Sequence, residues 1–559
     1  MYSNKENVNI LTALLAAHGV RHAVVCPGSR NAPLVHNLNE HPRISCHAIT
    51  DERSAGFYAL GMAQQLAGPV AVCVTSGSAL LNVLPAVAEA FYQHLPLVVL
   101  SADRPAQWID QLDGQTLPQP QALGRFVKKA VSLPEPTDDE QRWYCQRLVQ
   151  EALLVADAPV HINIPISEPL FRFDTPRLPD VRKVERIPAA GGLHPDTRQA
   201  LGRLLTARRP MVVVGQLNDC RLPLQHLRCQ TVVMSESLFG GQAEPSHFDE
   251  VLSAWGDDED LLPDCVLYAG DTLVSKRLKQ LLRRAAQATF IRIDPEGRLA
   301  DTFMHLDCLI EAQPQPVLDF LDSCCAEGFI PQHGTEQRLP LADTHDYLDL
   351  WHRHIDQVRR HARRFEPPFS QMAAVKGLEQ ALGQQTNALV YYANSTAVRL
   401  ANIYAHHHVW CNRGVNGIEG SLSAACGASL VAPQGRPVYC VIGDLSFFYD
   451  QNALWNSSLS GRLRILLLNN GGGGIFHMLP GLEQSPARER LVAGGHDVSA
   501  EGTCLQYRIG YRRASTLDEL ADGIGWLMGE RSQRPLLLEV VTRADDDAQT
   551  LKKYYETIG

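Results

Sequence analysis

The 559-residue chain is long enough for roughly three or four domains, and its 45% hydrophobic content fills several cores instead of leaving a disordered chain. A net charge of −10 and a pI near 6.1 argue against nucleic acid or an anionic membrane surface as the main partner. No uninterrupted apolar stretch reaches membrane-spanning length, and the 14 cysteines are scattered without a Cys-x-x-Cys pair, as small buried hydrophobes of a reducing cytoplasm would be.

The amino terminus, MYSNKENVNILTALLAAHGVRH, reads as a helix ended by Gly19 and not as a signal peptide. HAVVCPGSRNAPL (22–34), ITDERSAGFYALGMA (49–63) and PVAVCVTSGSALLNVLPAVAEA (69–90) then repeat strand, loop and helix, the alternation of a parallel sheet. Glu52 falls just after a strand and just before a helix start rich in small residues. Read alone, it is an acid favoured by the helix macrodipole. This block closes with the strand PVHINIPI (159–166) and leaves through the proline-rich SEPLFRFDTPRLPDVRKVERIPAAGG, giving a first domain over 1–180.

A middle domain over 181–365 follows, with strands at 210–217, 230–237, 264–271 and 288–296. The charged, His-rich stretch 343–364 at its end reads as a mostly solvated helix. Cys324-Cys325 and the run His406-His407-His408 have no partner pair at ligand spacing, so surface or core roles are expected of them. The third domain, 366–559, opens with NALVYYANS (387–395) and closes with PLLLEVVT (535–542). The fold class is therefore α/β, with three consecutive parallel-sheet domains.

Two runs of the third domain carry the most chemistry. PVYCVIGDLS (437–446) and RILLLNNGGG (464–473) read as fully buried parallel strands, which puts Asp444 and Asn469-Asn470 at strand carboxyl ends, where open α/β sheets bind ligands. A hard cation such as Mg²⁺ wants oxygen ligands and shares them with phosphate. Asp444 offers a carboxylate, Asn470 an amide oxygen, and the glycines after it a backbone carbonyl with no Cβ in the way. The alternative is a buried turn followed by a glycine-rich linker.

Gly443-Asp444-Leu445-Ser446 followed by Asn469-Asn470 resembles the signature of the thiamine diphosphate-dependent enzymes, with Leu445 where that signature often has a second glycine. The resemblance implies pyrimidine-binding, central and diphosphate-binding domains in that order. It implies that Gly443, Asp444, Leu445, Ser446, Asn470 and Gly472 hold thiamine diphosphate. Asp444, Asn470 and Gly472 would bind Mg²⁺, with Mn²⁺ as a substitute. Glu52 becomes the carboxyl that shares a proton with the aminopyrimidine ring, in an apolar pocket, and Ile418 the bulky residue beneath the cofactor. In this group the active site lies between the first domain of one subunit and the third of its partner, so a homodimer or homotetramer is implied.

Further strings, PGSRNAPL, DERSAG, SADRP, NSTAVR, NRGVNGIEG, GDLSFFYDQNAL and NNGGGGIFHMLP, are together similar to the menaquinone-pathway branch of that family. That branch joins 2-oxoglutarate, with loss of carbon dioxide, to isochorismate. The likeness covers nearly the whole chain and is thin in the middle apart from Lys276-Arg277 and their neighbours. Both substrates are dianions, which guanidinium forks suit. By resemblance, Arg399 and Ser395 grip the far carboxylate of 2-oxoglutarate with Arg413 nearby. Ser29, Arg30, Arg104, Lys276 and Arg277 receive isochorismate, Gln115 bonds to the intermediate, and Ile475, Phe476 and Leu479 form an apolar wall. An acetolactate-synthase-like enzyme or a simple 2-oxo acid decarboxylase would share Glu52, Asp444 and Asn470 without needing the arginines.

Overall fold

A computed structural model describes residues 1–66, 68–155, 157–186, 193–218, 224–240, 245–331, 338–383, 387–479 and 481–559. The last six residues of the expected exit linker, 187–192, and Cys220 lie outside the described residues. Three parallel sheets follow one another along the chain. The first contains β1 (His22–Val25), β2 (Ser45–Ala48), β3 (Val70–Val74), β4 (Leu97–Asp103), β5 (Lys129–Ser132) and β6 (Val160–Pro165), in the spatial order β2-β1-β3-β4-β6-β5. The second contains β7 (Pro210–Val214), β8 (Val232–Ser235), β9 (Cys265–Ala269), β10 (Thr289–Ile293) and β11 (Leu306–Ile310), in the order β11-β10-β9-β7-β8. A small antiparallel hairpin, β12 (Phe329–Pro331) and β13 (Arg338–Pro340), precedes the third sheet. That sheet contains β14 (Leu389–Tyr392), β15 (Val438–Gly443), β16 (Leu463–Asn469), β17 (Gly510–Ala514) and β18 (Leu536–Val541), in the order β14-β15-β16-β18-β17.

The expected α/β class with three parallel sheets is what the chain forms. Its central strands are covered on both faces, which is why VAVCV of β3 and the apolar run of β16 show no polar alternation. β15 and β16 are neighbours in register, Gly443 opposite Leu468, so Asp444 and Asn470 leave the sheet side by side.

The first and third sheets share one hydrophobic core. Its seam is the crossing of the helices Glu52–Gln65 and Ser421–Val431, which meet at small residues. A Cβ added at Gly61 would collide with the Ala424 backbone, and one at Gly427 with the Tyr58 backbone, so the two helices touch main chain to main chain. Tyr58 Oη donates across the same seam to the Ala453 carbonyl at 2.5 Å.

The helix His345–Arg364 is solvated along most of its surface, as expected, but it carries one buried stripe: Trp351 is fully buried, with Tyr347, Val358 and Ala362 on the same side, and Tyr347 Oη donates to the Leu261 carbonyl. The apolar residues recur at helical spacing inside a charged sequence, and that stripe, not the average polarity, decides burial.

Gly61→Ala is expected to destabilise the protein by about 1–3 kcal/mol, the usual cost of overpacking a tight site, whereas Gly525→Ala, with open space around it in the helix Leu517–Gly529, should be neutral or mildly stabilising. Denaturant unfolding of the two variants checks this. Equal stabilities would mean that the crossing tolerates separation.

Candidate functional site

Asp444 is the first residue of a short helix, Asp444–Tyr449, directly after β15, and is 2% exposed. Its Oδ1 accepts from its neighbour's amide, Leu445 N–H, at 2.6 Å. Its Oδ2 gathers three consecutive amides from the end of β16: Asn470 at 3.0 Å, Gly471 at 2.9 Å and Gly472 at 2.9 Å. That convergence needs the positive φ of Gly471 (81°) and Gly472 (153°), which explains glycine at both positions. His496 donates its main-chain N–H to the Gly471 carbonyl and brings Nε2 to 3.5 Å from Asp444 Oδ2. Burial pushes the Asp444 carboxyl upward from its ordinary pKa, and the backbone amides and His496 oppose this. Leu445, in the second-glycine position, extends to Gly494, and Ser446 is buried.

Asn470 Nδ2 donates to Asp547 Oδ2 at 3.0 Å, while its Oδ1 accepts no hydrogen bond among the described residues. Asp444, Asn470 and Gly472, which carry one carboxylate, one amide oxygen and one main-chain carbonyl, thus stand together at the ends of two adjacent strands. Among the described residues no group of three His, Cys, Asp or Glu could hold a metal. This mixed set of hard oxygens, with a single carboxylate, fits a divalent cation that takes its remaining oxygens from a diphosphate.

The loop before the helix Ser421–Val431 is clamped from two sides. Asn394 Nδ2 donates to the Asn412 and Gly417 carbonyls, and Glu89, from the first sheet's helix Leu84–Tyr92, accepts from the Gly414 and Val415 amides at 2.6 Å each. Burial raises the Glu89 carboxyl, countered by those same donors and by Gln93. Within this loop Arg413 bonds to Asn394 Oδ1 and the Leu273 carbonyl. Ile418 is 41% exposed, which removes ordinary core packing as its explanation. Asp450, fully buried and raised to about 7 by burial, accepts from Ser423 N–H and Oγ and so caps the helix that follows. Ser395 holds φ 72°, a strained value for a non-glycine residue, at the start of the helix Thr396–Tyr404.

That helix faces a cavity of about 840 Å³ whose lining includes Lys276, Arg277, Arg399, Ile475, Leu479 and Tyr555. Arg399 and Lys276 make no hydrogen bond or ion pair among the described residues. Arg277 is already engaged, with Nη1 2.6 Å from Asp249 Oδ2 and its guanidinium over the Tyr555 ring. Phe476 lies against Gly473 instead of in the cavity lining.

The residues expected from the first domain are elsewhere. Ser29 is exposed, and Arg30, 6% exposed, donates to the Ile166 carbonyl and Glu168. Arg104 pairs with Asp113 at 2.7 Å, and Gln115 is exposed with φ 54°. Glu52 begins the helix Glu52–Gln65, is half-buried and accepts from Asn82 Nδ2 at 3.2 Å. None of these lines the cavity. The apolar enclosure expected around Glu52 is therefore not complete within one chain, and the expected isochorismate set is divided between two places.

Sequence reasoning passed over Glu89, Asp450, Asp547 and His496. A lone acid inside the apolar helix sequence VAEAFY was a usable signal for Glu89. Asp547 stands in an acidic first turn, Asp545-Asp546-Asp547, where the macrodipole already accounts for acids and hides any further role.

The thiamine pyrophosphate enzyme N-terminal TPP binding domain matches residues 6–123, and the C-terminal TPP binding domain matches residues 393–540. The 2-succinyl-5-enolpyruvyl-6-hydroxy-3-cyclohexene-1-carboxylate synthase of Bacteroides fragilis is 43% identical over 577 residues, covering 100% of both chains. The enzyme of that name from Bacteroides thetaiotaomicron is 41% identical over 584 residues, again covering 100% of both. The one from Porphyromonas gingivalis is 35% identical over 586 residues, covering 100% of this chain and 98% of its own. This chain belongs to the 2-succinyl-5-enolpyruvyl-6-hydroxy-3-cyclohexene-1-carboxylate synthase family of thiamine pyrophosphate enzymes.

Proposed function

We propose that this protein decarboxylates 2-oxoglutarate and adds the remaining four-carbon unit to isochorismate in a 1,4 sense, giving 2-succinyl-5-enolpyruvyl-6-hydroxy-3-cyclohexene-1-carboxylate (SEPHCHC) and carbon dioxide for menaquinone biosynthesis. The observation that carries this reading is one continuous segment: residues 470–479 start at the Asp444 centre and end in the wall of a cavity that holds two uncommitted cations, Arg399 and Lys276. A cofactor-binding protein without two anionic substrates would not need that pairing.

Bound thiamine diphosphate supplies the electron sink that lets a 2-oxo acid lose carbon dioxide. The chain's own residues do the rest. Asp444, Asn470 Oδ1 and the Gly472 carbonyl would hold Mg²⁺ with the diphosphate, and Gly443, Leu445 and Ser446 would shape the turn around it. Ile418, on its clamped loop, would support the cofactor. Glu52 would share a proton with the pyrimidine ring. Arg399, with Ser395 and Arg413, takes the far carboxylate of 2-oxoglutarate. Lys276 and Arg277 from this chain, with Ser29, Arg30, Arg104 and Gln115 from a first domain, receive isochorismate and the joined intermediate. Ile475 and Leu479 wall the cavity and keep water from protonating the reacting carbon early, while Phe476 packs the turn at Gly473 behind them.

Because the first-domain residues lie away from this chain's own cavity, a second copy completes the site in a homodimer or homotetramer. The domain roles are pyrimidine-binding for 1–180, central for 181–365 and diphosphate-binding for 366–559. Free cysteines throughout the described residues support a cytoplasmic setting.

Arg399→Ala should leave the far carboxylate unpaired in a closed site, costing about 2–5 kcal/mol in use of 2-oxoglutarate. Pyruvate lacks that carboxylate, so it should be a poor donor for the native protein and suffer far less in the variant. Carbon dioxide release from both donors, with and without isochorismate, reads this. A native preference for pyruvate, or an unchanged donor ratio in Arg399→Ala, would instead favour an acetolactate-synthase-like activity.

Glu52→Gln should keep cofactor affinity yet lose carbon dioxide release by orders of magnitude, since an amide cannot cycle the proton. Calorimetric titration of thiamine diphosphate alongside the release assay separates the two quantities. Retained turnover would move the acid to another residue.

A further inference from the structure

The helix Ala544–Glu556 follows β18 and packs its first turn against the segment that carries Asn470. Within that turn Asp547 receives three donors on two oxygens. Gln371 N–H reaches Oδ1 at 2.8 Å, while Thr542 Oγ1 at 2.6 Å and Asn470 Nδ2 at 3.0 Å reach Oδ2. An ionised carboxylate can only accept hydrogen bonds, so the end of the Asn470 amide that faces it has to be the NH₂ group. The amide oxygen is then turned away, and it is the side-chain atom of Asn470 that accepts no hydrogen bond among the described residues.

The two ends of an asparagine amide have nearly the same size and shape, so packing alone does not choose between them. The pocket around this amide is tight. A Cβ at Gly474 would lie 2.5 Å from Asn470 Nδ2. What distinguishes the two orientations here is charge. The next loop residues are fixed by the same helical turn, because His477 Nδ1 lies 2.8 Å from Asp545 Oδ1.

The geometry points to Asp547 as a positioning residue that fixes the Asn470 amide so that its oxygen is offered to the divalent cation. This inference rests on the reading of Asp444, Asn470 and Gly472 as the cation site. Outer partners that orient a metal ligand typically contribute 10–100-fold in metal affinity. In Asp547→Asn an NH₂ group can face Asn470 and turn its amide around, presenting nitrogen to the cation. Adding Asn470→Asp to that variant exchanges the two groups: position 547 now donates, position 470 accepts, and the second carboxylate oxygen of residue 470 is offered to the cation.

The test titrates Mn²⁺, followed by electron paramagnetic resonance, into the full-length protein with saturating thiamine diphosphate. Circular dichroism melting without metal monitors the fold. Asp547→Asn should bind Mn²⁺ about 10–100-fold more weakly, and Asp547→Asn/Asn470→Asp should recover most of that loss. A purely structural role predicts no recovery, because the second substitution disturbs the pair again. Parent-like affinity in Asp547→Asn, or a double variant no better than the single, overturns the proposal. Asp444→Ala separates the two levels of the argument. If it too binds Mn²⁺ like the parent, the cation site itself is misplaced and this inference falls with it. If it loses Mn²⁺ while Asp547→Asn does not, only the orienting role is wrong.

Discussion

Main-chain contact between the helices Glu52–Gln65 and Ser421–Val431 is the constraint on which the site depends. Glycine at 61 and at 427 lets the backbones meet, and the surrounding alanines leave no side chain long enough to hold them apart. Each helix begins at a residue of interest: Glu52 opens one, and the loop bearing Arg413 and Ile418 leads into the other. Asp450, at the end of the Asp444 helix, caps the second helix at Ser423. The local positions of Glu52, Ile418 and Asp444, proposed as proton-sharing acid, cofactor support and cation ligand, are therefore set by one seam between two sheets.

The Asp444 carboxylate is the electrostatic counterpart of that seam. Taking a carboxylate out of water is costly unless its oxygens are satisfied. Here four backbone amides do this without spending a positive side chain. The carboxylate keeps its charge available to a cation, which an arginine or lysine partner would have cancelled. The cavity beside it follows the opposite logic. Arg399 and Lys276 stay uncommitted, as suits groups whose partners are anionic substrates, whereas Arg277 is already paired with Asp249 and lies on Tyr555. Its contribution at the cavity would be shape and orientation more than free charge.

Much of the sheet framework was legible in the sequence because fully buried parallel strands leave continuous Val, Ile and Leu runs. Asp444 and Asn470 were legible for a related reason: they directly follow such runs, so their strand-end location needs no long-range knowledge. The buried stripe of the helix 345–364 lies in the spacing of its apolar residues, which its polar composition hides. Asp450 and Asp547 were invisible because the partners that reveal them, Ser423 for one and Gln371 and Asn470 for the other, are distant in sequence, whereas Glu89 left only the faint signal of a lone acid in an apolar helix. The division of the expected isochorismate residues could not be read either, since strings such as PGSRNAPL and SADRP state residue types and not where in space they lie.

The bond that the protein makes is the most direct test of the proposed reaction. Incubated with 2-oxoglutarate, isochorismate, thiamine diphosphate and Mg²⁺, the native protein should yield, by mass spectrometry, SEPHCHC with one carbon dioxide per coupled product. Succinic semialdehyde as the sole product, or coupling that proceeds only from pyruvate, would contradict it.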